Sequence, residues 1–439
     1  MIKRSRFPKI FFGWWTVIAT GVIALWGQGF NAYGISALFK PMSAELGFTR
    51  ALTSVAVSLE RFEGGLEAPL SGWMSDRFGP KWVVIFGIFL VGIGLILMNF
   101  IQSLWQYYVV WGVVFGTGAN IALALPLDTA ISNWFVKKRG LALSIKWVFS
   151  GLSGVVALPI IAWMISTQGW RMACLIGGLV MWGVGLPLAW IFLKRHRPEY
   201  YGLLPDGATI GDGAAETSQT IDKGVKYAAE VQEVEFSIKQ AMSTLSYWLL
   251  IAAMAAHGIF GPVLNIHCIP FLTDRGIDPV KAASMMSIYV ATSIPARLVC
   301  GYFADRIRTS RLTLLLAGAF FLQTVGLVIF LLRPTETMIY VWFVLYGLGY
   351  GGAIIIPPIM RGRYFGRKAF GSIGGSVSVF MTPISVAGPI YAGWVYDTTG
   401  NYMVAFTLFA GLLALATIIA LFIRQPRPPA QITDIRKIV

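Results

Sequence analysis

The chain has 439 residues, of which 56% are hydrophobic and only 13% are charged, whereas soluble domains have about 25% charged residues. A chain this apolar cannot keep its surface in water, so the composition excludes a soluble globular protein and indicates a membrane protein. The three cysteines lie apart in apolar runs, which excludes a disulfide framework and a zinc site. The net charge of +15 comes from short basic clusters between apolar stretches, a pattern typical of membrane topology rather than of nucleic-acid binding.

Twelve stretches contain the roughly 20 mostly apolar residues that a transmembrane helix needs. They span residues 13–37, 51–74, 82–101, 105–127, 141–166, 172–193, 246–271, 282–304, 312–332, 338–360, 372–396 and 402–423. The first run follows a basic segment but is too long for a cleaved signal peptide, so we interpret it as a retained helix. The sequence therefore predicts an all-α membrane protein with twelve transmembrane helices.

The distribution of basic residues predicts the orientation of these helices. Of the 35 Lys and Arg residues, 26 lie on the side of the N-terminus and 6 on the opposite side. The other three, Arg61, Lys146 and Arg297, lie inside predicted helices. Cytoplasmic loops are the ones enriched in Lys and Arg. We therefore expect both termini in the cytoplasm and a multi-pass protein of a bacterial-type inner membrane.

One long polar segment, residues 195–245, divides the twelve predicted helices into two sets of six. Its composition is typical of a flexible cytoplasmic linker, and its end, residues 236–242, predicts a short interfacial helix. The predicted domains are accordingly an N-terminal half (1–194), the linker (195–245) and a C-terminal half with a cytoplasmic tail (246–439).

Two motifs repeat between the halves at nearly the same offset. Gly72–Arg77 reappears as Gly301–Arg306, 229 residues later, and Trp134–Lys138 reappears as Tyr364–Lys368, 230 residues later. Parallel six-helix repeats are typical of secondary transporters, with the substrate site between the repeats near mid-membrane.

Residues 72–81, Gly-Trp-Met-Ser-Asp-Arg-Phe-Gly-Pro-Lys, resemble the motif between helices 2 and 3 of the major facilitator superfamily. The resemblance covers all twelve predicted helices and implies that fold. It also implies that Asp76 caps or pairs with a neighbouring helix end and that Arg77 holds a cytoplasmic gate. The repeat extends these roles to Asp305 and Arg306. The alternative is that these four residues only fix the topology.

Shorter motifs resemble the oxalate–formate antiporter and monocarboxylate porter branch of that superfamily. They are residues 12–15 (Phe-Gly-Trp-Trp), 39–41 (Phe-Lys-Pro), 294–297 (Ile-Pro-Ala-Arg) and 393–397 (Gly-Trp-Val-Tyr-Asp). The resemblance implies a small carboxylate substrate, with Arg297 as its anchor. The animal monocarboxylate porters usually have an Asp as proton partner where this chain has Ser293, so the resemblance assigns no proton to the eighth helix.

The physical chemistry of Arg297 points the same way. It stands eight residues before Asp305, or about 12 Å along a helix, which places it near mid-membrane. A charge there costs about 2.5–3.5 kcal/mol on insertion scales. The eighth helix has no acidic residue one turn away, whereas Ser293 at i−4 shares its face. An anionic substrate would complete such a site, and the alternative is a structural pair with an acid on another helix.

The second predicted helix contains Glu60, Arg61, Glu63 and Glu67, with the three glutamates on one face. One interpretation is a structural ion cluster between the halves, with Arg61 pairing with an acid of another helix. The other is a gate or a proton site. Asp128 is a further candidate for a coupled proton.

Lys146 and three tyrosines complete the candidate site. Lys146 lies about 9 Å into the fifth helix, where it either snorkels to the cytoplasmic interface or supplies a second cation for the anion. Tyr33, Tyr346 and Tyr350 either line the cavity or pack in the core and the interface belt.

We therefore predict a monomeric secondary transporter of a small organic anion, a monocarboxylate, that works by alternating access in contact with membrane lipid. It has no cofactor and moves a proton or a counter-anion together with its substrate. The alternatives are an oxalate–formate-type exchanger and a membrane sensor that binds an anion without moving it. The sequence lacks a P-loop and the motifs of an intramembrane enzyme. The run 372–396 also lacks the second cation of the oxalate-transporting relatives, which predicts a preference for monoanions.

Overall fold

A computed structural model describes residues 10–47, 50–208 and 234–427 of the chain. These ranges form twelve long helices and contain no strand. In chain order the helices are α1 (12–46), α2 (Arg50–Phe78), α3 (Pro80–Met98), α4 (Leu104–Trp134), α5 (Arg139–Gln168), α6 (Trp170–Phe192), α7 (Leu245–Thr273), α8 (Pro279–Arg306), α9 (Thr309–Leu332), α10 (Glu336–Phe365), α11 (Phe370–Thr399) and α12 (Met403–Phe422). Within the same ranges, nine of them, all except α1, α2 and α8, are long and apolar enough to span a membrane. The predicted all-α, twelve-helix architecture is confirmed.

The helices follow from the solvent that they face. Most of them are apolar nearly all round, and in lipid only a helix or a closed barrel satisfies every backbone N–H and C=O group. Four helices contain a π-helical turn: α1 at Gly29–Gly34, α4 at Tyr108–Phe115, α5 at Ser153–Ala157 and α6 at Met181–Gly185. All four belong to the first six helices, and the described part of α7 to α12 has none.

The two sets of six helices meet closely along α2 with α11 and along α5 with α8. Glycines allow this approach, because a Cβ at Gly72 would collide with the carbonyl oxygen of Gly371. A Cβ at Gly140 would likewise collide with the carbonyl oxygen of Gly301. Both contacts involve the repeated sequence motifs or the residues that follow them, so the repeat marks where the halves touch.

Because the chain has an even number of long helices in these ranges, it ends on the face on which it starts. We call this the terminal face; it carries the start of α1, the end of α12 and the loops after α2, α4, α8 and α10. Phe11 packs there on Phe135 of the α4–α5 loop, with ring centroids 5.7 Å apart. Ser246, at the start of α7, donates a hydrogen bond to the carbonyl of Arg424, just beyond α12.

The predicted flexible linker is structured at both of its described ends. Short helical turns, Pro198–Tyr201 and Pro205–Gly207, follow α6. The predicted interfacial helix is present as Ile238–Met242, where Ser237 and Gln240 cap each other. Residues 209–233 lie outside the described part of the chain.

Candidate functional site

Arg297 is a buried cation in the middle of α8. It is 4% exposed, and one guanidinium nitrogen donates to Ser293 Oγ at 3.3 Å, as the i−4 spacing predicts. The other terminal nitrogen donates to the carbonyl of Trp147 in α5, opposite Gly151, which leaves room for the guanidinium. Nε has no hydrogen-bond partner, and no carboxylate lies within 4 Å of Arg297 in the described residues. The alternative of a structural ion pair is therefore not observed in this part of the chain.

Tyrosines from three helices surround Arg297. Tyr33, on the π-helical turn of α1, lies against Gly154 of α5 and close enough to Arg297 to interact with it electrostatically. Tyr350 of α10 interacts with Arg297 in the same way and stacks on Tyr346, with ring centroids 5.9 Å apart. Tyr346 is buried and its hydroxyl has no partner among the described residues. The structure thus brings Tyr33 and Tyr350 to Arg297, whereas Tyr346 is placed there only through its stacking on Tyr350.

Sequence reasoning missed a fourth tyrosine. Tyr289 lies on the same face of α8 as Ser293 and Arg297, at i−8 from the arginine, and its ring centroid is 5.9 Å from that of Tyr350. Its hydroxyl donates to Asn265 of α7 at 2.8 Å. The helical spacing from Arg297 is the signal that would have found it.

Lys146 corrects one of the sequence-based interpretations. Its side chain is 1% exposed and its Nζ lies 3.1 Å from Asp128 of α4, so it does not snorkel to the interface. Its Nζ also lies 4.0 Å from the ring centroid of Trp147. Arg361 of α10, which the sequence did not single out, interacts electrostatically with Asp128 and Asp76. Opposite charges here neutralise one another, and Lys146 is not a free second cation for an anion.

The glutamates of α2 are also arranged differently from the predicted ion cluster. Glu60 is 5% exposed and accepts from the Asn31 amide of α1 at 3.4 Å. Glu67 accepts from Thr117 and Asn120 of α4 at 2.6 and 3.3 Å. The donors are thus amides and a hydroxyl from the same half.

Arg61 forms no contact ion pair with that cluster, although it lies close enough to Glu60 of its own helix to interact with it electrostatically. Its side chain is exposed, and it forms no ion pair within 4 Å with a described carboxylate. Glu63 lies between Glu60 and Glu67 along the helix, and one of its carboxylate oxygens is buried without a hydrogen-bond partner among the described residues. The predicted pairing of Arg61 with an acid of another helix is therefore wrong for the described part of the chain.

Two carboxylates join the halves at the terminal face. Asp76, at the end of α2, accepts from the backbone N–H groups of Gly371 and Ser372, at 3.0 and 2.7 Å, where α11 begins. Asp305, at the end of α8, accepts from those of Gly140 and Leu141, at 2.7 and 2.8 Å, where α5 begins. Each half thus caps a helix N-terminus of the other, where a carboxylate is favoured by the helix dipole.

The arginines that follow these carboxylates behave alike. Arg77 packs over the rings of Trp73 and Phe78, and Arg306 packs over Tyr302, so both contact aromatic side chains of their own helix. Arg306 also donates to the Tyr302 carbonyl. The observed cross-half contacts at these two motifs come from the aspartates.

The described polar contacts between the halves lie on one side of the molecule. Those described lie at the level of Arg297 or nearer to the terminal face. On the opposite face, the described ion pairs, Arg171 with Glu45 and Lys281 with Glu336, each join residues of one half. The structure is therefore closed toward the terminal face.

The arrangement at Arg297 suits an oxyanion. Its guanidinium has five N–H donors, of which the described contacts occupy two. The surrounding hydroxyls and aromatic rings can bind a second oxygen and an apolar carbon chain. The described residues contain no group of three His, Cys, Asp or Glu side chains that could bind a metal ion.

Comparison with known proteins identifies the family. A sequence profile of the Major Facilitator Superfamily matches residues 21–382 and 269–438. The chain is 26% identical over 368 residues to monocarboxylate transporter 12-B of Danio rerio, an alignment that covers 81% of this chain and 75% of the relative. It is 24% identical over 392 residues to the probable sulfoacetate transporter SauU of Cupriavidus necator, which covers 86% of each chain.

A solved structure has the same fold. The human organic anion transporter MFSD10 matches 93% of this chain and 99% of its own length, with a TM-score of 0.68 at 14% identity. The relatives are transporters rather than enzymes, and so is this chain, a multi-pass membrane protein. With a matching profile over most of its length and twelve helices in two sets of six, the chain belongs to the Major Facilitator Superfamily.

Proposed function

We propose that the protein is a secondary active transporter of a small organic anion, a monocarboxylate, and that Arg297 binds the carboxylate. The observation that carries the proposal is the burial of Arg297 at 4% exposure with no described carboxylate within 4 Å. A planar guanidinium matches a carboxylate in two parallel hydrogen bonds. Ser293, Tyr33, Tyr346 and Tyr350 complete the binding site around it. The names of the relatives, which include a monocarboxylate transporter and a probable sulfoacetate transporter, support an anionic substrate.

The charges around the site favour a monoanion. Lys146, the other cation near Arg297, is paired with Asp128 at 3.1 Å. The helix α11 contains no Lys or Arg. A second carboxylate in a dry site would remain unpaired, which is expensive. A monoanion, by contrast, leaves the occupied site neutral.

Movement of the substrate requires the halves to separate at the terminal face. In this cycle the caps formed by Asp76 and Asp305 break, and the site at Arg297 opens to the side of the chain ends. We assign that side to the cytoplasm, because it holds 26 of the 35 Lys and Arg residues. The domains are those predicted above, residues 1–194 and 246–439 joined by the linker 195–245, in a monomer of the inner membrane.

Coupling takes one of two forms. In symport, a titrating group separate from Arg297 binds the proton, and the candidates are Glu60, Glu63, Glu67 and Asp128. In exchange, a counter-anion returns on Arg297. Ser293 at the position of the porters' aspartate favours exchange, because the eighth helix then offers the anion site without a proton acceptor beside it.

Uptake of labelled carboxylates into proteoliposomes tests the proposal. We expect uptake of C1–C6 monocarboxylates by the unmodified protein and none by Arg297→Gln, with little left in Arg297→Lys because a point charge does not reproduce the bidentate fork. Lys281→Gln is the matched control, since it removes one positive charge from an exposed ion pair of α8. Near-normal uptake by a folded Arg297→Gln variant would refute the anchor role.

The same vesicles separate the alternatives. Binding of a carboxylate without its uptake would identify a sensor. Uptake that is stimulated by internal carboxylate but indifferent to an imposed pH gradient would identify an exchanger. Strong oxalate uptake that disappears in Lys146→Ala, while monocarboxylate uptake by the same variant persists, would refute the preference for monoanions and make Lys146 the second anchor.

A further inference from the structure

The segment that follows α6 contacts both halves at the terminal face. Glu199, in the turn Pro198–Tyr201, forms an ion pair with Arg367 of the α10–α11 loop at 2.8 Å. The two side chains are only 7% and 3% exposed. Arg367 also donates to the carbonyl of Asn133, at the end of α4, at 2.9 Å. A buried, charged contact thus joins this segment, the end of α4 and the α10–α11 loop.

The same segment is fastened to the first half by Asp206. The Asp206 carboxylate accepts from three successive backbone N–H groups, those of Val136, Lys137 and Lys138, at 2.8–3.2 Å. Asp206 is the one non-glycine residue with positive φ in the described ranges, at 60°. Such a conformation is strained and persists only where its surroundings hold it. The segment therefore moves with the first half, as a rigid extension of the α4–α5 loop.

The chain that leads into α7 is fastened to the second half in a corresponding way. The backbone N–H of Phe236 donates to the carbonyl of Phe365 at 2.9 Å, and its ring packs edge-on against that of Phe365 at 5.5 Å. Arg197 then joins the two segments through Glu235 at 2.6 Å. The first end of the linker thus lies on the α4–α5 loop, and the second end lies at the end of α10. Arg197 and Glu235 join the two ends, and Glu199 joins the first end to the α10–α11 loop.

We propose that residues 197–208 form a strap that holds the terminal face closed, with Glu199 and Arg367 as its latch. Glu199 moves with the first half and Arg367 with the second, so opening of the terminal face must break their ion pair. Loss of one partner of a buried pair leaves the other charge uncompensated in the closed state. The latch therefore sets the balance between the closed and open states of this face, independently of the substrate.

A buried thiol at the terminal face measures this balance. Ser144 of α5 is fully buried, lies against Gly301 of α8 in the other half, and its hydroxyl has no partner among the described residues, so Ser144→Cys reports entry of water when the face opens. Cys174, Cys268 and Cys300 are replaced by Ala in this background. A membrane-impermeant maleimide, added from the side of the chain ends and without substrate, reads the modification rate.

We expect Glu199→Gln to destabilise the closed state by at least about 1.4 kcal/mol, which corresponds to a factor of ten in the equilibrium between the closed and open states. Modification of the thiol should therefore become at least about tenfold faster. Glu336→Gln is the matched control, because it removes the same charge from an exposed pair on the opposite face. The double variant Glu199→Arg/Arg367→Glu, which swaps the two charges, restores slow modification, whereas each single substitution accelerates it. Equal rates in Glu199→Gln and Glu336→Gln would overturn the proposal.

Two further measurements distinguish opening of the terminal face from general loosening of the protein and from failure to insert. A variant that keeps only Cys174, which is buried in the core of the first half, must stay unreactive when Glu199→Gln is added; reaction there would show general loosening and overturn the latch. If Glu199→Gln does not insert, Arg367→Lys, which keeps the charge but not both hydrogen bonds, replaces it. An intermediate acceleration then supports the latch, and an unchanged rate refutes it.

Discussion

The two halves share a helix plan but differ in the chemistry at their centres. The first half buries the carboxylates of Glu60 and Asp128, and their described hydrogen-bond and ion-pair partners, the Asn31 amide and the Lys146 ammonium, belong to the same half. The second half contributes Arg297, whose described partners are a hydroxyl and a carbonyl. At the terminal face, in contrast, the halves match, because Asp76 caps α11 and Asp305 caps α5, each a helix of the opposite half. The repeat has thus kept the geometry of closure while the centre has become asymmetric.

The asymmetry places the anion on the second half and leaves the first half to form the opposing wall. All four described π-helical turns belong to the first half. Those of α1 and α5 meet where Tyr33 lies against Gly154, beside Arg297. Such turns occur frequently at functional sites. We therefore infer that the first half determines the shape of the cavity and that the second half supplies its positive charge.

Breaking the ion pair between Lys146 and Asp128 in the first half should have the largest effect and is the strongest test of this comparison. Lys146→Ala removes the cation that lies 3.1 Å from the buried Asp128, and we expect a loss of about 3–5 kcal/mol in the free energy of unfolding. Removing both charges, with Lys146→Met and Asp128→Leu, should recover most of that loss. Thermal unfolding in detergent measures both variants, with Lys281→Ala as the exposed control. Equal stability of Lys146→Ala and the unmodified protein would show that the pair does not neutralise the first half.

The symmetry of the gate predicts equal effects of two distant substitutions. Asp76→Ala and Asp305→Ala each remove a carboxylate that caps a helix N-terminus, and such caps contribute about 0.5–2 kcal/mol. We expect each variant to shift the protein toward the state open at the terminal face by a similar amount. Distances between spin labels on the α4–α5 and α10–α11 loops report the shift. If only one of the two substitutions changed these distances, the two caps would not contribute equally to closure of the terminal face.

The glutamates of α2 provide the finest distinction. Glu67 has two described donors, Thr117 and Asn120, which also bind a neutral Gln, whereas Glu60 has a single long bond from Asn31. If a pH gradient drives uptake, we expect Glu60→Gln to reduce that uptake about fivefold, or about 1 kcal/mol, and Glu67→Gln to change it much less. Uptake with and without an imposed pH gradient measures both. Equal responses of the two variants would remove the reason to single out Glu60.

The fold was predictable because its cause is local. Each span is a continuous apolar run, and the repeated motifs at Asp76 and Asp305 revealed the two halves. Arg297 was also visible, since an arginine in an apolar run has no local explanation. The sequence failed where partners come from other helices: Lys146 meets Asp128 across α4 and α5, and Glu199 meets Arg367 across 168 residues. Hydropathy and helical spacing have no information about which helices become neighbours.

The same limit explains the error at Arg61. Three nearby glutamates made an ion cluster plausible, yet the structure satisfies the described bonds of Glu60 and Glu67 with amides and a hydroxyl and leaves Arg61 exposed. A long arginine side chain can reach the edge of the membrane and stay hydrated, which costs less than joining a buried cluster. Asn31, Thr117 and Asn120 are common polar residues of transmembrane helices, so nothing in the sequence marked them.

The uncompensated guanidinium of Arg297 also makes one part of the proposed cycle sensitive to membrane voltage. The electric field falls across whichever side is closed, so a central charge crosses it when the closed side changes. One elementary charge moved through 100 mV corresponds to about 2.3 kcal/mol. With a monoanion bound the site is neutral and its reorientation is electrically silent, whereas the empty site reorients with one positive charge. Exchange of one anion for another, which never passes through the empty state, is then indifferent to voltage, and net transport is not.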